Sequence, residues 1–542
     1  MKKIISLVLA LVMIASLVAL TACGNQEPTS FKTPEEHLNY VWTKQVNKSA
    51  DAALASYEEA KDTLNGAKQA TEITITMGDE LKSLLGGLLA LSTGTSVDLS
   101  TLNSITAKSE ANLTENLRSA AISLMLNNKD IIDATIVADA ENLFAQIPVI
   151  SESFFKVPAK VPTNPEGNDK SAKDASKALN DFINALPSKD TLKQLVVKYI
   201  NTLLDTLKDA NEEEKDLTVE NVTVKAKFVT VTITEETVME IAENLLKQVK
   251  ADTDIKKVIE DFATATGADA AEAYKSYQGS IDKAIANIAE EKEKDISKNA
   301  MVLELVTNEK NDLIGFTFTV KNNDVTDAEI TYRFAETEDK YALSLTVTAS
   351  QAREDGADST QTLKVSSSGA KNGSKITGVF KISTRNDESF TFSVTDLDVD
   401  ALNAGNFSGK ITIKADQITA LINLTNQTNT TVAGVASLFN GYDLVIDGKL
   451  SIKDTDLKVA FENSTKTFLS IQIKNSVSGK ANVSPVSTEK TADEVMRDVD
   501  ADKMAETIKG RLKDAGVSED LAAIIIMMFG NQSQDELNYL ED

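Results

Sequence analysis

The sequence predicts an α+β protein. Large curved antiparallel β-meander sheets pack with helices, a long helix opens the chain and a helical pair closes it. Three observations predict this. From 301 to 475, apolar and polar residues alternate at period two, in runs broken by turns such as KNND, AKNGS and TRNDE. Short strands joined by tight turns make antiparallel meanders. A second alternating stretch covers 104–147, and helical apolar spacing flanks both stretches.

The elements follow in order. Thr33-Pro34-Glu35-Glu36 offers a capping hydroxyl, a proline at the first helical position and acids in the first turn. A helix should run from there to about Asn65, where Gly66 closes it. It carries His37, expected on its exposed side, and Trp42. EITITM (72–77) alternates as a strand. In DELKSLLGGLLAL, Leu81, Leu84, Leu85, Leu88 and Leu89 share one helical face. Strands are expected at 104–114, 117–127, 131–139 and 141–147, with LNNKD as a turn.

Residues 156–170 hold three of the eight prolines, Pro158, Pro162 and Pro165, and read as a linker or exposed loop. Helices are expected at 171–186 and 188–210, a strand pair at 217–234, and helices again from 235 to 296. Eleven strands then fill 301–475, interrupted by a helix near 416–424 and another near 430–440. Helices at 489–515 and 518–529 end the chain. The expected segments are therefore 31–155 (helix plus meander), 156–170, 171–300 (mainly helical), 301–475 (meander) and 476–542 (helices). A chain of 542 residues with 42% apolar residues is expected to fold as two to four units with real cores.

The first thirty residues concern address. Met1-Lys2-Lys3 precedes the apolar run Ile4–Leu20, and small residues follow at Thr21 and Ala22. This is the layout of a secretory signal, expected over 1–22. Cys23 is the only cysteine, so it has no disulfide partner within the chain. Leu20-Thr21-Ala22-Cys23 resembles the lipobox of bacterial lipoproteins. The resemblance implies a diacylglycerol on the Cys23 sulfur, cleavage before Cys23, and a lipidated tether over 23–30 on the outer leaflet of the cell membrane. Two acyl chains anchor stably where one does not.

Composition and motifs limit the chemistry. A net charge of −26 opposes binding to nucleic acid or to an anionic membrane surface. With one histidine and one cysteine, a zinc enzyme lacks its ligands. No Gly-x-Ser-x-Gly elbow and no phosphate loop occurs. Gly405–Lys410 comes nearest to the latter, is one residue short, and is followed by Ile411 where Ser or Thr is needed. Asp396, Asp398 and Asp400 repeat at period two and could share a cation. However, Ala401 and Phe407 stand where a calcium loop needs Gly and Glu, and a solvated strand edge is the better reading of the pattern. No catalytic residue, metal centre or cofactor is implied.

The meander at 104–147, ending in NLFAQIPVISESF (142–154), with its covering helices resembles the half-barrel lipoproteins and carriers of the LolA and LppX type. The whole layout also resembles large lipoproteins of unknown function from low-GC Gram-positive bacteria. The first resemblance implies a sheet that shelters acyl chains, with Leu81, Leu84, Leu85 and Leu88 as candidate cavity residues. The expectation is a membrane-anchored, non-enzymatic extracytoplasmic lipoprotein holding a hydrophobic ligand. The alternatives are a surface scaffold for protein partners and, third, the solute-binding component of a transporter.

Overall fold

The computed structural model describes residues 30–526 apart from 65–66, 94–96, 114–117, 140–141, 158–180, 183, 293–299, 323–324, 353–357, 385–388, 425–438, 440 and 481–482. The signal, the Cys23 tether, most of the 156–170 loop, most of the 171–186 helix and the 430–440 helix thus lie outside the described residues, apart from Phe439.

Helix α1 (Pro34–Leu64) starts where expected. The Thr33 hydroxyl accepts the Glu36 N–H at 3.3 Å. Next come β1 (Ala67–Met77), α2 (Asp79–Thr93), and the meander β2 (Ser104–Leu113), β3 (Arg118–Leu126), β4 (Lys129–Ala138), β5 (Leu143–Ile147) and β6 (Ser151–Val157). Helix α3 (Lys189–Leu204) is followed by β7 (Asn211–Val219) and β8 (Val222–Thr234), which turn at Glu220. Three helices follow: α4 (Glu235–Ala251), α5 (Thr253–Ala265) and α6 (Ala270–Lys292).

A long run of strands then begins with β9 (Ala300–Thr307), β10 (Leu313–Asn322), β11 (Val325–Glu336) and β12 (Lys340–Ala352). It continues through β13 (Asp358–Asn372), β14 (Lys375–Thr384), β15 (Ser389–Asp398), the short α7 (Val399–Asn403) and β16 (Phe407–Ile413). Helix α8 (Ala415–Leu424) precedes β17 (Asp443–Leu450), β18 (Asp454–Glu462) and β19 (Thr467–Lys480). The described chain ends with α9 (Ala492–Arg497), α10 (Ala501–Asp514) and the helical residues 519–526, α11. The chain is α+β, and its strands pair antiparallel throughout.

Two compact units arise. One comprises residues 1–58 and 184–437, the other 59–183 and 438–542. In the first, β7 to β16 pair each with the next along the chain. One sheet face carries Val229, Val231, Ile233, Leu303, Leu305 and Phe318, all buried. Helix α1 covers it with Leu38, Val41, Trp42 and Val46, a helical stripe, while α3 adds Leu204 and α4 adds Val238 and Ile241. Each such side chain contributes about 1.5–3 kcal/mol on burial. On the opposite face the β7–β8 hairpin buries Leu217, Val222 and Phe228 against Val306, Ala335 and Ala342.

In the second unit the strand order is β17-β18-β19-β1-β2-β3-β4-β5-β6. Strand β1 therefore sits inside the sheet, between β19 and β2. The face bearing Ile75, Met77, Ile105, Leu126 and Ile132 packs against α2, α10 and α11, with Leu512 fully buried. Gly78 makes the turn from β1 into α2. A Cβ there would lie 1.9 Å from the Thr467 carbonyl oxygen, so only glycine fits.

Two expectations need correction. His37 is fully buried, not exposed. Its ring stacks on Phe31 at 4.5 Å, and Nδ1 lies 2.9 Å from the Glu212 carboxylate on β7. A helix of mostly polar residues gave no sign that a strand would cover that turn. The expected helix 489–515 is two helices, because the Asp500 carboxylate accepts the N–H groups of Asp502 and Lys503 and starts α10 afresh.

Candidate functional site

The second unit carries an open groove of about 560 Å³. It crosses six strands, from β18 to β4, with Lys449 of β17 at one end. Its origin is the alternation of β1, AKQATEITITM. Ile75 and Met77 pack toward the helices and the exposed Ile73 shares their face, which leaves Lys68, Ala70, Glu72, Thr74 and Thr76 on the other face. The neighbouring strands repeat this division around Glu72 and leave a polar, uncovered patch there, whereas Met125, Ala460 and Val445, further along the same face, are buried.

Register then sorts the charges. Lys449 pairs with Asp456, Asp456 with Lys474, Lys474 with Glu72, and Glu72 with Lys108. Five adjacent strands thus present lysine, acid, lysine, acid, lysine in one row, all lining the groove. Ser123 and Asp133 extend the row across β3 and β4. Opposite charges directly across a strand pair stabilise a sheet by about 0.2–1 kcal/mol each.

Most of these charges have protein partners. Lys108 Nζ lies 3.1 Å from Glu72 Oε2, and Lys449 contacts the Asp454 carboxylate. Gln472 Nε2 donates to Asp456 Oδ1 at 2.7 Å. Beside the row, Lys68 Nζ lies 2.9 Å from Glu110 Oε1. The Lys68 ammonium, helped by the Asn112 amide, holds the Glu110 carboxyl below the usual carboxylate range. Arg511 of α10 donates to Asp133 Oδ1 at 2.6 Å and to the Ile131 carbonyl at 3.0 Å. That carbonyl is accessible because β5 pairs with β4 only from Thr135 onward. Lys474 differs. It is exposed at the middle of the row and, among the described residues, its side chain has neither an ion pair nor a hydrogen bond.

The first unit holds a second constellation of charge. Asp252 is buried and caps α5 by accepting the N–H groups of Asp254 and Ile255. It also accepts from Lys198 Nζ and from the Tyr199 hydroxyl, each at 2.6 Å. Burial alone would push this carboxyl up. The Lys198 and Tyr199 bonds and the two backbone N–H groups outweigh it and pull the value down to about 2. Burial and the Asp252 hydrogen bond raise the Tyr199 hydroxyl. Every member of this network is committed to tying α3 to α5, so it reads as structural. Among the apolar residues of the same unit lies a void of about 30 Å³ between Trp42, Leu204, Val238 and Phe318, room for roughly one water.

The residues singled out in the sequence are scattered. Cys23 lies outside the described residues. Leu81 and Leu85 pack into the second unit's core, whereas Leu84 and Leu88 are 37% and 54% exposed and Leu91, one turn on, is 85% exposed. The four leucines therefore do not line a common surface. Asp398 caps α7 through the N–H groups of Asp400 and Ala401, Asp396 sits at a positive φ of 50° where β15 is irregular, and Asp400 belongs to the first turn of α7. Among the described residues no three His, Cys, Asp or Glu side chains are grouped to hold a metal ion. No described helix is long and apolar enough to cross a membrane. The charge row went unnoticed in the sequence. Its members are merely the polar positions of separate strands, and only register brings Lys474 beside Glu72. No protein-family model, curated protein or solved structure matches this chain.

Proposed function

We propose that this chain is a lipid-anchored, non-enzymatic protein of the cell envelope that binds a polar ligand along the groove of its second unit. The anchor is Cys23, on the strength of the lipobox. The row Lys449, Asp456, Lys474, Glu72, Lys108 over an open groove carries the binding reading. At the middle of the row Lys474 stands opposite two acids yet makes no ion pair, which leaves its ammonium available to a ligand. Surface ion pairs are worth about 0–1 kcal/mol, so an incoming charged ligand can replace them at small cost.

The test is hydrogen–deuterium exchange on the full chain in non-ionic detergent, with and without fractionated envelope material. Protection confined to β18, β19, β1 and β2 supports the reading. Exchange in these strands unchanged by every fraction refutes it.

One observation favours a second reading, the sheltering of a hydrophobic ligand: Leu84, Leu88 and Leu91 form an exposed stripe on α2. Mass spectrometry of an organic extract of the gently purified protein decides it. A stoichiometric lipid beyond the anchor supports a carrier, and a clean extract removes that reading.

A further inference from the structure

We propose that the groove's ligand is an extended polypeptide of mixed charge, lying across the strands in the polyproline II conformation with an acidic residue at every third position. The proposal rests on reading the groove as a binding site and adds the class of ligand.

Spacing carries it. Lys449, Lys474 and Lys108 stand on β17, β19 and β2, each two strands from the next. Strands lie about 4.8 Å apart, so the lysines recur at about 9.6 Å. A polyproline II helix advances about 3.1 Å per residue with three residues per turn, so its equivalent side chains recur at about 9.3 Å. The mismatch is about 0.3 Å per repeat, small against the reach of a lysine. An extended strand places same-face residues roughly 6.7 Å apart, and two turns of α-helix span about 10.8 Å; neither keeps step with the row. With three residues per turn the intervening side chains point away from the sheet, and basic residues there offset the negative field of Asp456 and Glu72 without contacting them.

The lining holds five acids, Glu72, Glu110, Asp133, Asp454 and Asp456, against three lysines, so the ligand needs basic residues beside its acidic ones. The backbone of β18, β19, β1 and β2 is already paired on both sides in the sheet, so the ligand cannot add as another strand. Polyproline II makes no internal hydrogen bonds and leaves its backbone to water, as an open groove allows. The lining contains no aromatic side chain, so neither ring stacking on a sugar nor an aromatic proline slot is on offer, and charge pattern remains as the recognition element. Lys474, unpaired at the centre, is the anchor.

The test is calorimetric titration of the full chain in non-ionic detergent with two synthetic peptides. One is five repeats of Glu-Lys-Pro, whose prolines favour polyproline II. The other has the same composition in blocks of Glu, Lys and Pro. The expected result is affinity for the repeat peptide at least tenfold above the block peptide, falling with added salt. Lys474→Glu should lower it by a further factor of roughly ten, and Lys474→Met by less. Lys474 is exposed, so both variants should fold, and exchange in β1 checks this. Equal binding of the two peptides overturns the spacing argument. Binding indifferent to Lys474→Glu overturns the location. No binding of the repeat peptide overturns the ligand class. If envelope fractions nonetheless protect these strands, the binding site stands and its ligand is of another kind.

Discussion

Replacing Asp252 by asparagine keeps the shape of the side chain and an oxygen able to cap α5, and it removes only the charge. The wild-type carboxyl is held at about 2 against an ordinary value of 3.8. Each unit of difference is worth about 1.36 kcal/mol, so the ionised group contributes about 2.4 kcal/mol to the folded state at neutral pH. The sign follows from the depressed value. The contribution is complete above 3.8 and is lost as pH falls through about 2. From pH 6 to pH 2.5 it drops by about 1.6 kcal/mol. Trp42 is the only tryptophan and is buried in the core of the first unit, so its fluorescence reports urea unfolding of that unit alone. Other carboxylates titrate over the same range, so the quantity to follow is the stability gap between wild type and Asp252→Asn. The gap should narrow by about 1.6 kcal/mol between pH 6 and pH 2.5. A gap that stays constant would refute the view that Lys198, Tyr199 and the α5 N–H groups hold Asp252 ionised.

Three further outcomes are expected. Gly78→Ala should cost the second unit about 3 kcal/mol, because the new methyl meets the Thr467 carbonyl at 1.9 Å, whereas Gly87→Ala, with open space around it, should gain about 0.5–1 kcal/mol. Exchange protection in β1 and β19 measures both, and equal effects would sink the steric account. His37→Ala should destabilise the first unit by roughly 2–4 kcal/mol through loss of a buried, stacked ring; a change under about 0.5 kcal/mol in the Trp42 transition would mean the site behaves as a surface. Cys23→Ser should release the protein from the membrane fraction, and retention of the variant would argue against the lipid anchor.

Strand periodicity was the most readable feature. Alternation in 104–147 marks β2 to β5 to within three residues, because one face of each strand is buried and the period is two. The Thr33-Pro34 start of α1 was equally plain, since capping is local. What escaped was long-range. His37 reads as a surface residue until β7, some 175 residues later, places Glu212 against it. The charge row needs Lys474 beside Glu72, and nothing in either strand names its partner. The break before α10 depends on whether one aspartate caps or not, and in a polar helix both outcomes look alike.

The position of β1 inside its sheet has a consequence in time. Its first neighbour, β2, is made within seconds, but its other neighbour, β19, follows only after β17 and β18, which begin at Asp443. At about 5–20 residues per second, the ribosome takes roughly 20–70 s to travel from Met77 to that point. Throughout that interval one full edge of β1, with its isoleucines at 73 and 75, stands open to any passing strand. A chain stopped short of β19 would keep that edge permanently. The sheet of the second unit is therefore completed only once β19 has been made.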